Sequence, residues 1–281
     1  MVKRKIKRSG TSAKQIVFMS FENFSSFASC LNEISQNVRK ITLNKSNLEN
    51  NYKIKTDDSP VTKYDIEAEN YIRKYLENSF PSHNIIGEEL KVIDKKSEFT
   101  WIIDPIDGTK SYMSGRPLWG TMIGLLKNNK PIIGMVDFPE LDQLWIGYKD
   151  KLILNGNDCN FLEKENLTLK NAIFASTAPE LFELLNLQKI NAIIDNVKFN
   201  IWSGDCHNYI LLAQGKIDLV IEENLNSWDI LPLIPILKSR EISITDWSGS
   251  EILFDFKIKK KFKVIAACNK DLLNEVLQFL N

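Results

Sequence analysis

An α+β first half followed by an α/β second half is the fold class this sequence predicts, and three observations carry that reading. Residues 65–79 repeat apolar side chains at helical spacing, three β-prone runs follow one another over 118–148 with short polar connections, and beyond residue 155 strand-like and helix-like stretches alternate. Grouped strands mark an antiparallel meander and an α+β unit, whereas alternation marks α/β. The composition permits both. With 281 residues, 43% apolar and 26% charged, the chain is excluded from global disorder and can bury one large core or two intimate ones.

The chain opens on Lys3, Arg4, Lys5, Lys7, Arg8 and Lys14, with no acid before Glu22. Residues 1–18 are therefore expected to form a basic, solvated tail. They lack the apolar segment of a secretory signal, and no run in the chain approaches the ~18 apolar residues of a membrane span. A soluble, cytoplasmic protein without a membrane partner is expected. Basic and acidic residues balance at 36 each, so no overall field draws the molecule to nucleic acid. Cys30, Cys159, Cys206 and Cys268 form no C-x-x-C pair, which points to reduced thiols rather than to a zinc site.

Residues 21–40 look helical and are followed by a polar link over 44–51. Within 65–79, Ala68, Ile72, Tyr75 and Leu76 form one buried stripe, which puts Asp65 at a helix N-terminus. Residues 100–103 read as a short strand that stops at Asp104-Pro105, because proline lacks the N–H a ladder needs. The meander follows over 118–126, 131–138 and 143–148. In the second half, strands are expected near 172–175, 198–202, 217–222, 242–246 and 263–267, with helices over 180–187, 205–214, 229–238 and 270–280. Pro232 and Pro235 fit only the first turn of the 229–238 helix, or they kink it.

Chemistry concentrates in carboxylates: Gly87-Glu88-Glu89, then Trp101-Ile102-Ile103-Asp104-Pro105-Ile106-Asp107-Gly108-Thr109, and much later Trp228-Asp229. Asp104 and Asp107 flank a proline that lets two carboxylates converge, and converging carboxylates repel unless a cation lies between them. Oxygen donors without His or Cys select Mg²⁺, Mn²⁺ or Ca²⁺ over zinc, and Mg²⁺ is the expected ion. Gly108-Thr109 lets backbone N–H groups approach an anion. Cations plus free N–H groups make a phosphate site, and paired metals favour phosphomonoester hydrolysis. The bland alternative for Asp104 to Gly108 is a solvated turn, since Asp, Pro and Gly are common turn formers.

With Ser59-Pro60-Val61-Thr62-Lys63-Tyr64-Asp65 preceding them, these motifs resemble the inositol monophosphatase family of Mg²⁺-dependent phosphatases, in order and at compatible spacings over residues 50–250. The resemblance implies a layered αβαβα sandwich with the active site between a first half, 19–154, and a second half, 155–281. It implies that Glu88, Asp104 and the carbonyl of Ile106 hold one Mg²⁺, and that Asp104, Asp107 and Asp229 hold a second. Two or three ions per site are expected, with Mn²⁺ as a substitute. Asp65 and Thr109 are implied to orient and deprotonate the attacking water, and Lys55 is implied to be a loop lysine that closes over the site. Members of the family are frequently dimers, so a homodimer is compatible with the resemblance.

Further stretches look closest to the histidinol-phosphatase branch, among them Gly115 to Thr121, Ser176 to Pro179, Gly204-Asp205-Cys206 and Gly215 to Val220. The expected substrate is histidinol phosphate, a small phosphorylated metabolite of histidine biosynthesis, bound by Asp107, Gly108, Thr109, Asp205 and Glu222. Asp205 and Glu222 are acids suited to its amine and imidazole; their bland alternatives are a helix N-cap and an exposed strand end. Inositol monophosphatase and 3′(2′),5′-bisphosphate nucleotidase activities share the same metal chemistry. A different class, a non-catalytic phosphate- or RNA-binding module, is disfavoured by the intact acids. One departure stands out: after Ile236-Leu237 the family has a glycine-containing turn, where this chain reads Lys238-Ser239-Arg240-Glu241.

Overall fold

The computed structural model describes residues 24–45, 52–56, 60–159 and 167–280. The basic stretch 1–18, most of the polar link and Ser59 lie outside the described residues. Two sheets organise the chain. The first has seven strands in the order β3-β4-β5-β6-β7-β8-β9: β3 (Asn84–Gly87), β4 (Phe99–Asp107), β5 (Gly120–Lys127), β6 (Lys130–Phe138), β7 (Gln143–Tyr148), β8 (Lys151–Leu154) and β9 (Asn157–Asp158). The second has five in the order β11-β10-β12-β14-β13: β10 (Ile173–Ser176), β11 (Phe199–Trp202), β12 (Leu219–Leu225), β13 (Ser243–Thr245) and β14 (Phe262–Ala267). A separate hairpin pairs β1 (Tyr52–Ile54) with β2 (Pro60–Thr62).

Side-chain alternation along the strands assigns each sheet face to a helical layer. On β4, Trp101 and Ile103 pack with Phe27, Leu31, Ile34 and Ile72 of α1 (Phe24–Thr42) and α2 (Lys63–Ser79). Ile102 points the other way, into a core shared with Tyr209, Ile230, Leu233 and Val264. Those residues come from α5 (Cys206–Ala213), α6 (Ser227–Ile230), α7 (Leu233–Lys238) and the second sheet. The outer face of that sheet, with Phe174, Ile221 and Ile265, packs on Ile190 and Val276 of α4 (Leu184–Ile194) and α8 (Lys270–Leu280). Helix, sheet, helix, sheet and helix thus form the five layers the resemblance implies. The middle layer lies very close to the first sheet: a Cβ on Gly134 of β6 would fall 1.8 Å from the carbonyl oxygen of Pro232.

Several expectations shift. The strand expected to end at residue 103 runs through Pro105 to Asp107, because β3 pairs only as far as Ile103 and Pro105 has no donor to lose on that side. Asp65 does stand at the N-terminus of α2, where it completes the capping box of Thr62 as the third helical residue. The helix expected over 180–187 begins at Leu184 after a single tight turn opened by Pro179. The helix expected over 229–238 is two, with Pro232 capping α7 and Pro235 in its first turn. Where the glycine turn is missing, the Ser239 hydroxyl donates to the carbonyl of Ile236 at 2.7 Å and Glu241 takes the left-handed conformation, φ 57°.

Candidate active site

β3 and β4 run parallel, with Gly87 opposite Ile103, so their carboxyl ends arrive together and Glu88 emerges beside Asp104. The Glu88 N–H donates to the carbonyl of Ile103 at 3.1 Å, which extends the ladder by one residue. On an uninterrupted strand, Asp104 and Asp107 would face opposite sides, being an odd number of residues apart. A bulge resolves this. Between the pairs Asp104–Met122 and Asp107–Gly120, β4 has two residues and β5 one, and the additional residue returns both acids to one side. The Thr121 hydroxyl pins the bulge by donating to the carbonyl of Pro105 at 2.8 Å. The Ile106 N–H donates to Asp104 at 3.1 Å, and the Ile106 side chain is sealed among Tyr64, Tyr112 and Trp119.

Past the bulge, Gly108 adopts φ 78° and opens α3 (Thr109–Met113). The Thr109 hydroxyl donates to the carbonyl of Ile106 at 3.1 Å. From the other half, Asp229 sits on the first turn of α6, where its carboxylate accepts the N–H of Asn226 at 2.7 Å. One oxygen each of Asp104, Asp107 and Asp229 all lie within 4.8 Å of one another. The Cys206 N–H, at the start of α5, donates to Asp107 at 2.7 Å and ties the two halves together. Nothing in the sequence advertised that amide; only the packing of α5 against the bulge supplies it.

Electrostatics set this cluster apart. Burial, then the charges of Glu88, Asp107 and Asp229, push Asp104 well above the ordinary carboxylate range. Burial, then Asp205 and Asp229, do the same to Asp107, while burial and Glu88 raise Asp229 to about 6. Asp65, fully buried, is raised to about 6 by burial against the hydrogen bonds it receives from Thr62, and its Oδ1 has no hydrogen-bond partner. Crowded acids of this kind fit a divalent ion with oxygen ligands, and the three clustered ligand atoms are all carboxylate oxygens. Lys55 sits at the rim, its ammonium 2.7 Å from both Glu88 and Glu89.

The remaining expected residues stand on the opposite wall. Parallel strands β10 and β11 also end there, presenting Thr177 and the 203–206 segment, and Glu222 lies midway along their neighbour β12. Glu222 is no exposed strand end: it is 3% accessible, accepting from the Thr177 N–H at 3.0 Å, the Thr177 hydroxyl at 2.5 Å and the Tyr209 hydroxyl at 2.8 Å. Asp205 occupies the N-cap position of α5 but its side chain makes no capping bond, at φ 45° and ψ −132°. Its carboxyl instead meets the Ser111 hydroxyl and the charges of Lys110 and Arg116; burial outweighs these and raises it to about 6.

Two mixed sheets with helical layers between and outside them, and hard oxygen donors gathered where β4 meets α6, define an αβαβα protein with a candidate divalent-cation site. This chain belongs to the inositol monophosphatase family, whose model matches residues 23–280. It is 37% identical over 232 residues to the chloroplastic bifunctional phosphatase IMPL2 of Arabidopsis thaliana, covering 80% of this chain and 66% of that protein. It is 30% identical over 202 residues to a histidinol-phosphatase of Chlorobaculum parvum, covering 72% of this chain and 78% of the relative. An inositol monophosphatase from Zymomonas mobilis superposes with a TM-score of 0.80 at 29% identity, over 92% of this chain and 98% of that one.

Proposed function

We propose that this chain is a Mg²⁺-dependent phosphomonoester hydrolase that converts histidinol phosphate and water to histidinol and phosphate. The observation that carries the reading is the gathering of Asp104 and Asp107 of β4 and Asp229 of α6 to within 4.8 Å. Glu88, Asp104 and the Ile106 carbonyl would hold one ion, and Asp104, Asp107 and Asp229 would hold a second. Bound there, Mg²⁺ supplies a water of lowered pKa and charge stabilisation for the leaving oxygen. The chain's own groups do the rest. Thr109 and Asp65 orient that water, and the free Oδ1 of Asp65 is the acceptor for its proton. The amides opening α3 face the phosphate.

Glu222 and Asp205 line the opposite wall and receive the cationic amine and imidazole of histidinol. The similarity to the histidinol-phosphatase of Chlorobaculum parvum supports that choice of ester. Four cysteines that form no disulfide suit a reducing compartment such as the cytoplasm. Among the described residues no helix is long and apolar enough to cross a membrane.

The test is phosphate release by the purified chain from histidinol phosphate, inositol 1-phosphate and 3′-phosphoadenosine 5′-phosphate, with Mg²⁺ and with chelator. Turnover should require Mg²⁺ and favour histidinol phosphate by at least about tenfold in kcat/KM, about 1.4 kcal/mol. Equal turnover of inositol phosphate would remove the histidinol assignment and leave the phosphatase. Full activity in chelator would remove both.

A further inference from the structure

We propose that Glu69 and Arg73, a buried ion pair on α2, are positioning residues that hold the Gly87–Leu90 backbone, and with it Glu88, in the geometry that binds metal. This rests on the reading of Glu88 as a metal ligand. Glu69 follows Asp65 by one helical turn and is completely buried, and Arg73 follows by another at 5% accessibility. Arg73 Nε donates to Glu69 Oε1 at 2.6 Å. Every other bond recorded for the pair goes to the main chain of the segment that carries Glu88. The Glu69 carboxylate accepts the N–H of Glu89 at 2.7 Å and that of Leu90 at 3.2 Å. The Arg73 fork donates to the carbonyls of Leu90 at 3.0 Å and Lys91 at 2.8 Å.

On the other side of Glu88, Gly87 lies against the same carboxylate so closely that a Cβ there would sit 2.1 Å from Glu69 Oε1. The segment is thus gripped on both sides of the proposed ligand, by the helix that also carries Asp65. A second buried pair shows what this one does that is unusual. Arg39 binds Asp137 through two nitrogens, and Asp137 takes a further hydrogen bond from the Ser35 hydroxyl. That pair joins α1 to β6 side chain to side chain and grips no backbone near the crevice. An ion pair within one helix repays its desolvation poorly, whereas one that spends its remaining donors and acceptors on a loop defines that loop's path. Groups behind a metal ligand commonly control affinity by orienting it.

Titration of the metal-free full chain with Mn²⁺, followed by calorimetry and by the electron paramagnetic resonance of free Mn²⁺, tests this. Glu69→Gln should weaken Mn²⁺ binding roughly tenfold or more, with kcat at saturating metal falling far less. Arg73→Lys, which keeps the charge and loses the fork, should shift affinity the same way by a smaller factor. It also stands in should Glu69→Gln fail to fold. Arg39→Lys should lower Tm and leave Mn²⁺ affinity at the wild-type value. Folded Glu69→Gln or Arg73→Lys with wild-type affinity would overturn the clamp, as would an equal loss of affinity in Arg39→Lys. Glu88→Gln separates the two readings: weakened binding there alone condemns only the clamp, while unchanged binding removes Glu88 as a ligand and the clamp with it.

Discussion

The two walls of the crevice are both acidic, yet their carboxylates are provisioned differently. On the wall built by β4, Asp104, Asp107 and the incoming Asp229 crowd one another, and Asp65 behind them keeps an oxygen without a partner. On the wall built by β10 to β12, Glu222 is served by Thr177 and Tyr209, and Asp205 by Ser111, Lys110 and Arg116. The clustered acids of the first wall repel one another, a repulsion that a cation placed among them would relieve. Those of the second are held by the fold itself, and a buried, pre-oriented carboxylate discriminates among ligands by what it can or cannot pair with. On the proposed reading, the same residue type would serve reactivity on one side and selection on the other, according to the partners the fold supplies.

The sharpest way to break this contrast is Asp107→Asn. Removing one charge from the first wall should lower kcat by about a thousandfold, about 4 kcal/mol of barrier, with Tm nearly unchanged. Near-normal turnover would mean that the wall is not the reacting one. Next in size is Gly134→Ala, which puts a methyl group onto the Pro232 carbonyl and forces the α6–α7 unit, carrying Asp229, off the first sheet. A loss of about 3 kcal/mol in urea unfolding is expected.

A pH measurement probes the second wall. Burial raises Glu222 from 4.5 to about 7, against the hydrogen bonds from Thr177 and Tyr209, so the native state holds its proton more tightly than the unfolded chain. The stability this contributes is complete below pH 4.5 and is lost as pH rises through about 7. In metal-free protein, wild type should therefore lose on the order of 2 kcal/mol relative to Glu222→Gln between those limits, read from urea midpoints. Parallel curves would show that folding leaves the titration of Glu222 unchanged. The smallest effect expected is on selection: Glu222→Gln should raise KM for histidinol phosphate about tenfold, about 1.4 kcal/mol, with inositol phosphate turnover changed much less. Equal losses on both esters would abolish the assigned division between the walls.

Much of this was legible without coordinates. Heptad-like spacing located α2, polar breaks located the meander, and the final helix, residues 270–280, was placed to the residue, since local periodicity suffices wherever an element has one buried face. The short strand β3 escaped because four residues, Asn84 to Gly87, carry no period of their own. The bulge in β4 escaped for a related reason: Asp-Pro reads locally as a stop, and only pairing with β5 keeps the strand going. For Asp205 the N-cap alternative gave the position at the head of α5 but not the side chain's partner, since the carboxyl meets Ser111, which is remote in the chain.

Which residue types carry the chemistry was written in the chain, because ligand hardness is a property of each side chain wherever it stands. That Glu88, Asp104, Asp107 and Asp229 occupy one side of one crevice was settled by long-range pairing: two parallel strand ends, a one-residue bulge and a helix laid on glycine. Whether each acid there lacks a counter-charge or already has one depends on neighbours remote in the chain, and proximity of that kind exists only after folding.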